Sequence, residues 1–258
     1  MAHITLSGVS VDFPIYTAQT KGLINTLMGF KGLKQGRVGS LDRGRHFQVH
    51  ALRDITLTLS HGDRVGLIGG NGAGKSTLLR VLSGVYDPTA GQITSSGRIS
   101  ALTDLMLGMD PEASGYDFIQ TRGIVMGLTA AQARSLTPDV ESFTELAEYL
   151  HLPVRTYSSG MLLRLAFAVS TAIQTDILLM DEMIGVGDQT FLQKAGQRLE
   201  NLMNSVDIMV LASHNEEILR KFCDKGVLLS EGRVLMTGPL DACLEAYQSS
   251  LSVCQDKP

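Results

Sequence analysis

The run Gly69-Gly70-Asn71-Gly72-Ala73-Gly74-Lys75-Ser76 has the residue types and spacing of a loop that holds phosphate groups. Its glycines let the backbone curl so that N–H groups face anionic oxygens. The spacing brings Lys75 to the β and γ phosphates of a nucleotide and gives the Ser76 hydroxyl to Mg²⁺. Thr77 follows, in a helical pattern whose N-terminus adds positive potential. A dinucleotide-binding G-x-G-x-x-G does not fit, because the glycines alternate and then meet Lys75. A second reactive group is Asp181-Glu182, directly after the apolar run Ile177-Leu178-Leu179-Met180. At the carboxyl end of a buried strand, Asp181 is placed to bind Mg²⁺ through its water shell. Glu182 is placed to polarise an attacking water.

These groups need a scaffold, and the pattern supplies one. Val65-Gly66-Leu67-Ile68 reads as the buried strand before the loop, and residues 77–82 as the helix after it. Residues 4–13 and 51–59 read as further strands, and residues 91–102 as a strand pair around Ser96-Gly97. From Asp110 to His151 the pattern turns helical, and from Thr171 to Met180 it returns to the sheet. Residues 189–206 read as a helix, 208–213 as a strand ending at His214, 227–236 as a hairpin, and 240–251 as a terminal helix. Alternating strands and helices predict an α/β core with a largely parallel sheet and an inserted helical block.

The 258 residues, 44% of them hydrophobic, suffice for one large domain or a domain with a subdomain. Three cysteines without metal-ligand spacing, and no signal peptide, predict a reducing compartment. No apolar run approaches the ~18 residues that span a bilayer. The net charge of −4 is uneven. Residues 14–50 carry Lys21, Lys31, Lys34, Arg37, Arg43 and Arg45 against Asp42 alone, so this stretch is +5 and the remainder −9. Leu23, Ile24, Leu27 and Met28 form one helical face there, and Gly29, Gly32, Gly36, Gly39 and Gly44 break the rest into loop. Such a stretch is a solvated insertion, or a surface that meets a membrane boundary, an anionic substrate or a partner subunit.

Between the phosphate loop and the Asp-Glu pair lies Tyr157-Ser158-Ser159-Gly160-Met161, then Arg164-Leu165-Ala166-Phe167-Ala168. After Glu182 come Val186-Gly187-Asp188 and Phe191, and later Ser213-His214. In this order, over about residues 46–250, the chain resembles the nucleotide-binding subunits of ABC transporters. It is most similar to the ATPases that export polysaccharides and polyol phosphates, those of O-antigen, capsule and teichoic acid. The resemblance implies a single P-loop ATPase domain over residues 1–258. Its parts would be an antiparallel β subdomain, the basic insertion 14–50, a helical subdomain over about 105–170 and a C-terminal helix over 238–258. It implies ATP and Mg²⁺ as cofactors, with Gly69 to Thr77 around the phosphates and Ser76 and Asp181 on the metal. Glu182 and His214 would be catalytic.

It also implies a head-to-tail dimer. Ser158, Ser159 and Gly160 of one chain would close over the ATP held by another, with Asp188 at the seam. The local chemistry agrees, since serines cap helices well and a glycine permits close approach. A polytopic permease would be the second partner and would handle the lipid-linked glycan; nucleic acid is not expected. The chain would sit peripherally on the cytoplasmic face of the inner membrane. Leu105 to Ile119, with Met106, Met109, Tyr116 and Phe118, falls where that family receives the permease; these side chains form either an exposed contact of that kind or a packed helical core. Three departures stand out. Asp104 occupies the place of a glutamine that senses the γ phosphate and Mg²⁺, which makes it a further metal candidate. The aromatic stacked on adenine is open among Phe13, His46 and Phe47. No C-terminal carbohydrate-binding domain is expected. A soluble ABC ATPase usually has coiled coils or two cassettes, and a GTPase needs N-K-x-D; the chain has none of these.

Overall fold

Between Ser96 and Gly97 the chain leaves one packed unit and enters another. A computed structural model describes residues 1–15, 38–41, 46–103, 105–181 and 189–255. The first unit holds Met1–Ser96 and Val210–Pro258, the second Gly97–Met209.

In the first unit, β1 (His3–Ile15), β2 (Val38–Leu41), β3 (His46–Ser60) and, later in the chain, a strand over Ala90–Ser96 form an antiparallel sheet ordered β2-β3-β1 and then that strand. Alternation dictates its buried side: Ile4, Leu6, Val9 and Val11 of β1 meet Leu52, Ile55, Leu57 and Leu59 of β3. The alternation breaks where the register shifts between Leu6 and Val9. Next come β4 (Arg64–Ile68), α1 (Lys75–Leu82) and β5, the Ala90–Ser96 strand.

The second unit contains β6 (Ile99–Ala101), α2 (Gly115–Val125), α3 (Ala130–Ser135), α4 (Thr137–Thr144) and two 3₁₀ turns, Ala147–His151 and Val154–Thr156. Then follow α5 (Ser159–Ala172), β7 (Ile177–Asp181) and α6 (Gln189–Ser205). Ser114 with Asp117 and Thr129 with Gln132 form capping boxes that start α2 and α3. β6 and β7 are parallel, and the Asp176 carbonyl accepts from the amides of Asp207 and Ile208 where β8 (Ile208–Ala212) begins. The chain then returns to the first unit for α7 (Glu216–Phe222), β9 (Lys225–Ser230), β10 (Arg233–Pro239) and α8 (Leu240–Gln255). There β9 runs parallel to β4 and antiparallel to β10.

Three expectations change. The strands around Ser96-Gly97 exist but do not pair with each other: β5 joins β1 and β6 joins β7. Burial distinguishes them, for β5 is almost wholly exposed whereas β6 has Ser100 buried. The third strand starts at His46, before the expected Ala51, and Val38–Leu41 is a strand paired with it, where glycines suggested loop. Pairing of residues 47–50 with β1, and of Val38–Leu41 with that extension of β3, supplies the hydrogen bonds that local propensity does not. Finally, within Leu105–Ile119, where the sequence leaves both an exposed contact and a packed helical core open, Phe118 and Ile119 are core residues of α2. The rest of the basic stretch, residues 16–37 and 42–45, with its apolar helical face and charges, lies outside the described residues.

Candidate functional site

The phosphate loop is held open by its neighbours. Gly69 has φ 150°, and a Cβ there would lie 2.4 Å from the Leu229 carbonyl oxygen of β9, so only glycine fits. At the β9–β10 turn the Gly232 amide donates to the Ala73 carbonyl at 2.9 Å, and the Gly232 carbonyl accepts from the Arg53 amide at 2.7 Å. The hairpin seen in the sequence therefore acts as a brace for the loop. Asn71, Gly72 and Ser76 are exposed, while Lys75 is buried at the first position of α1. The Lys75 Nζ donates to the Gly69 carbonyl at 2.6 Å and the Gly70 carbonyl at 3.3 Å, and lies 3.5 Å from His214 Nε2. Residues 139 positions apart thus meet at the loop. The fit to a nucleotide phosphate is good: an ammonium folded on the loop's own carbonyls can exchange them for phosphate oxygens.

His214 stands two residues beyond β8, exposed, before a tightly capped helix. Asn215 Oδ1 accepts from the amides of Glu217 and Ile218 at 2.9 and 3.3 Å, which fixes the start of α7. The helix α8 ties to α7 through Gln248 on Glu216 and Arg220 on Asp241. Its Tyr247 hydroxyl lies 3.8 Å from where a Gly70 Cβ would be. Nothing in the local pattern around Tyr247 singles it out, and sequence reasoning missed it. Gly66 of β4 and Gly226 of β9 are register partners, and a Cβ at either would press on α7 or α8. At Gly226 it would sit 2.7 Å from Cys243 Cβ. These glycines let both helices lie close on the strands that precede and flank the loop.

On the base side, β1 and β3 bring the aromatic candidates together: Phe13 is in register with Val49 and Ile15 with Phe47. The Phe13 ring meets Tyr86 edge-on at 5.2 Å, and the Arg80 guanidinium lies 5.7 Å from the Tyr86 ring. Tyr86, just beyond α1, is a second aromatic that the sequence reading did not single out. The side chains of His46 and Phe47 lie outside the described residues.

In the second unit, Ser158 caps α5 by accepting from the Met161 amide at 3.3 Å, and Ser159 and Gly160 form its first turn. Asp181 ends β7, half-buried, at the carboxyl end as expected. A Cβ at Gly160 would meet nothing closer than Ser158 Oγ at 3.9 Å. Its own chain therefore does not require glycine there. Tyr157 belongs to the core: it is 7% exposed and its hydroxyl donates to the Tyr149 carbonyl at 2.6 Å. Burial pushes its phenol pKa upward. Asp104, Glu182 and Asp188 lie outside the described residues.

Known proteins with this arrangement are numerous. The sequence profile of the ABC transporter family matches residues 52–185. The O-antigen export system ATP-binding protein RfbE of Yersinia enterocolitica is 43% identical over 91% of this chain and 97% of its own length. The teichoic acids export ATP-binding protein TagH of Staphylococcus saprophyticus is 36% identical over 79% and 76%. Among solved structures, an ATP-binding subunit of an ABC transporter aligns with TM-score 0.66 and 21% identity, over 98% of this chain and 99% of that one. The dimeric cassette MJ0796 bound to ADP and Pi aligns with TM-score 0.64 and 18% identity, over 92% and 98%.

Proposed function

This chain belongs to the ABC transporter family, and from that premise we propose that it is the ATP-hydrolysing subunit of an exporter of lipid-linked polysaccharide, acting with a separate membrane permease. The likeness to RfbE along nearly its whole length favours an O-antigen-like cargo over a polyol phosphate. The observation that carries the mechanism is the split of the chemistry. Lys75 and His214 meet on a braced phosphate loop, while Gly160 is a glycine without cause inside its own chain. A ligand on a second copy supplies the cause.

In this reading the loop amides from Gly69 to Thr77 and the Lys75 ammonium hold the phosphates of ATP. Ser76 and Asp181 would be the residues that hold Mg²⁺, which when bound would supply charge neutralisation to the phosphates. His214, beside Lys75, donates to the γ phosphate. By the family resemblance, Glu182 would orient the attacking water, Asp188 would belong to the dimer seam, and Asp104 would be a further metal candidate. Ser158, Ser159 and Gly160, at the capped start of α5 in the helical subdomain, close over the partner's ATP. Phe13, with Tyr86 beside it, offers a ring face for adenine. The exposed Met106 and Leu107, with Ile124 and Val125 of α2, form an apolar surface suited to a permease. Among the described residues no helix is long and apolar enough to cross a membrane.

Glu182→Gln tests the site directly. It is expected to bind ATP, fail to hydrolyse it, and elute as a dimer only with ATP. Hydrolysis at the unsubstituted rate, or a monomer at saturating ATP, would overturn this assignment.

A further inference from the structure

The helix α8 follows β4 toward the phosphate loop, and its side chains meet that path in order. A Cβ at Gly66, inside β4, would lie 3.1 Å from Leu240 Cδ1. At Gly226, the register partner of Gly66, a Cβ would crowd Cys243 and also lie 3.2 Å from Ile68 Cδ1, at the end of β4. At Gly70, two residues further on, the neighbour is the Tyr247 hydroxyl. Leu240, Cys243, Leu244 and Tyr247 share one face of the helix by their spacing of three and four. The first three are buried and Tyr247 is half-buried. The face is thus core along the strand and ends in a phenol beside the loop.

Tyr247 is held in place from several directions. The Leu240 amide donates to the Asp224 carbonyl at 2.9 Å at the start of the helix. Arg220 of α7 pairs with Asp241, and Gln248, the next residue after Tyr247, donates to both Glu216 oxygens at 2.9 and 3.1 Å. Among the described residues the Tyr247 hydroxyl itself has no hydrogen-bond partner. It faces a carbonyl whose partners change with the ligand. The Gly70 carbonyl accepts from the Ala73 amide at 3.0 Å and from the Lys75 Nζ at 3.3 Å. When the ammonium turns to a phosphate, that carbonyl loses one of its two donors, and a carbonyl left short of donors in a half-buried place costs stability.

We propose that Tyr247 is a positioning residue of the nucleotide site, whose hydroxyl donates to the Gly70 carbonyl once Lys75 has moved to phosphate. The proposal rests on the reading of this loop as an ATP site. The phenol replaces the ammonium on the loop backbone, so the loop keeps its shape while Lys75 serves the nucleotide. Tyr247 acts through Gly70 and not on the reacting atoms. Its hydroxyl therefore contributes to affinity for the nucleotide and little to the chemical step or to the stability of the empty protein.

The experiment compares the unsubstituted full chain with Tyr247→Phe, which keeps the ring and removes only the hydroxyl. Three quantities are measured: affinity for a non-hydrolysable ATP analogue with Mg²⁺, kcat and KM for ATP, and the melting temperature without nucleotide. Analogue affinity should fall, and KM rise, by roughly 2- to 10-fold, the range of one net hydrogen bond. At saturating ATP kcat should stay within about twofold, and the nucleotide-free melting temperature within about 2 °C. Unchanged analogue affinity in the folded variant would overturn the proposal. So would a drop in nucleotide-free stability or a failure to fold, since either marks a hydroxyl that serves packing. A loss of kcat with affinity intact would overturn it as well. Failure of the ATP-site reading is distinguishable, because the unsubstituted protein would then bind no analogue.

Discussion

Lys75 shows how a single residue can be read twice. Its motif assigns it to phosphate, and the fold adds His214 at 3.5 Å, a neighbour no local pattern announces. Cys223 is the contrary case, a residue with reactive chemistry that the fold silences. Burial, helped by Asp224 and opposed by Arg64, pushes its thiol from the ordinary 9.0 up to about 12. Because the folded value is raised, the neutral thiol's contribution to stability is complete below the ordinary value and is lost as pH rises toward about 12. The thiolate is the reactive form. At about pH 9, where an ordinary thiol is half ionised, we expect iodoacetamide to label Cys223 only after the protein unfolds. Peptide mapping after native labelling checks this, and modification of folded protein at the rate of a free thiol would refute it.

At the scale of elements, α5 is the one whose boundaries carry function. Its start is fixed by the Ser158 cap and its body by buried Leu165 to Thr171. Gly160 weakens the helix for no internal reason, since space for a Cβ is open. Gly160→Ala should raise stability by about 0.5–1 kcal/mol, because alanine favours helix. In the proposed head-to-tail dimer the same change should lower ATP hydrolysis, because the methyl group would stand where the partner's nucleotide approaches. Thermal melts and a steady-state assay separate the two effects; a destabilised variant with full activity would contradict both. Compare Gly226, where a Cβ would be 2.7 Å from Cys243 Cβ: there glycine answers to helix packing within the chain. Both residues are glycines in the sequence, and only the surroundings tell a site glycine from a packing glycine.

For the whole molecule, the exposed Met106 and Leu107 predict a dependence on a membrane partner. Met106→Asp with Leu107→Asp should leave the purified chain's ATP hydrolysis within about twofold, since neither residue lies in the nucleotide machinery, yet prevent co-purification with the permease. Co-purification at unchanged yield would move the docking surface elsewhere. What was legible beforehand follows from the range of the forces involved. Chemistry carried by contiguous residues could be read directly: the phosphate loop, the Asp181 strand end, the Ser158 cap and the β9–β10 hairpin all depend on neighbours within a few positions. Strand partners could not be read, because pairing is chosen by hydrogen bonds between distant segments. So β5 went to β1, β6 went to β7, and Val38–Leu41 became a strand despite its glycine. Nor could the sequence reveal that Phe118 is core or that Tyr247 reaches the phosphate loop. The sequence by itself determined which nucleotide chemistry the chain carries, because that chemistry is written in short spacings. Tertiary structure alone decided which distant side chains brace, orient and connect it, because burial and stacking exist only once separate elements have packed together.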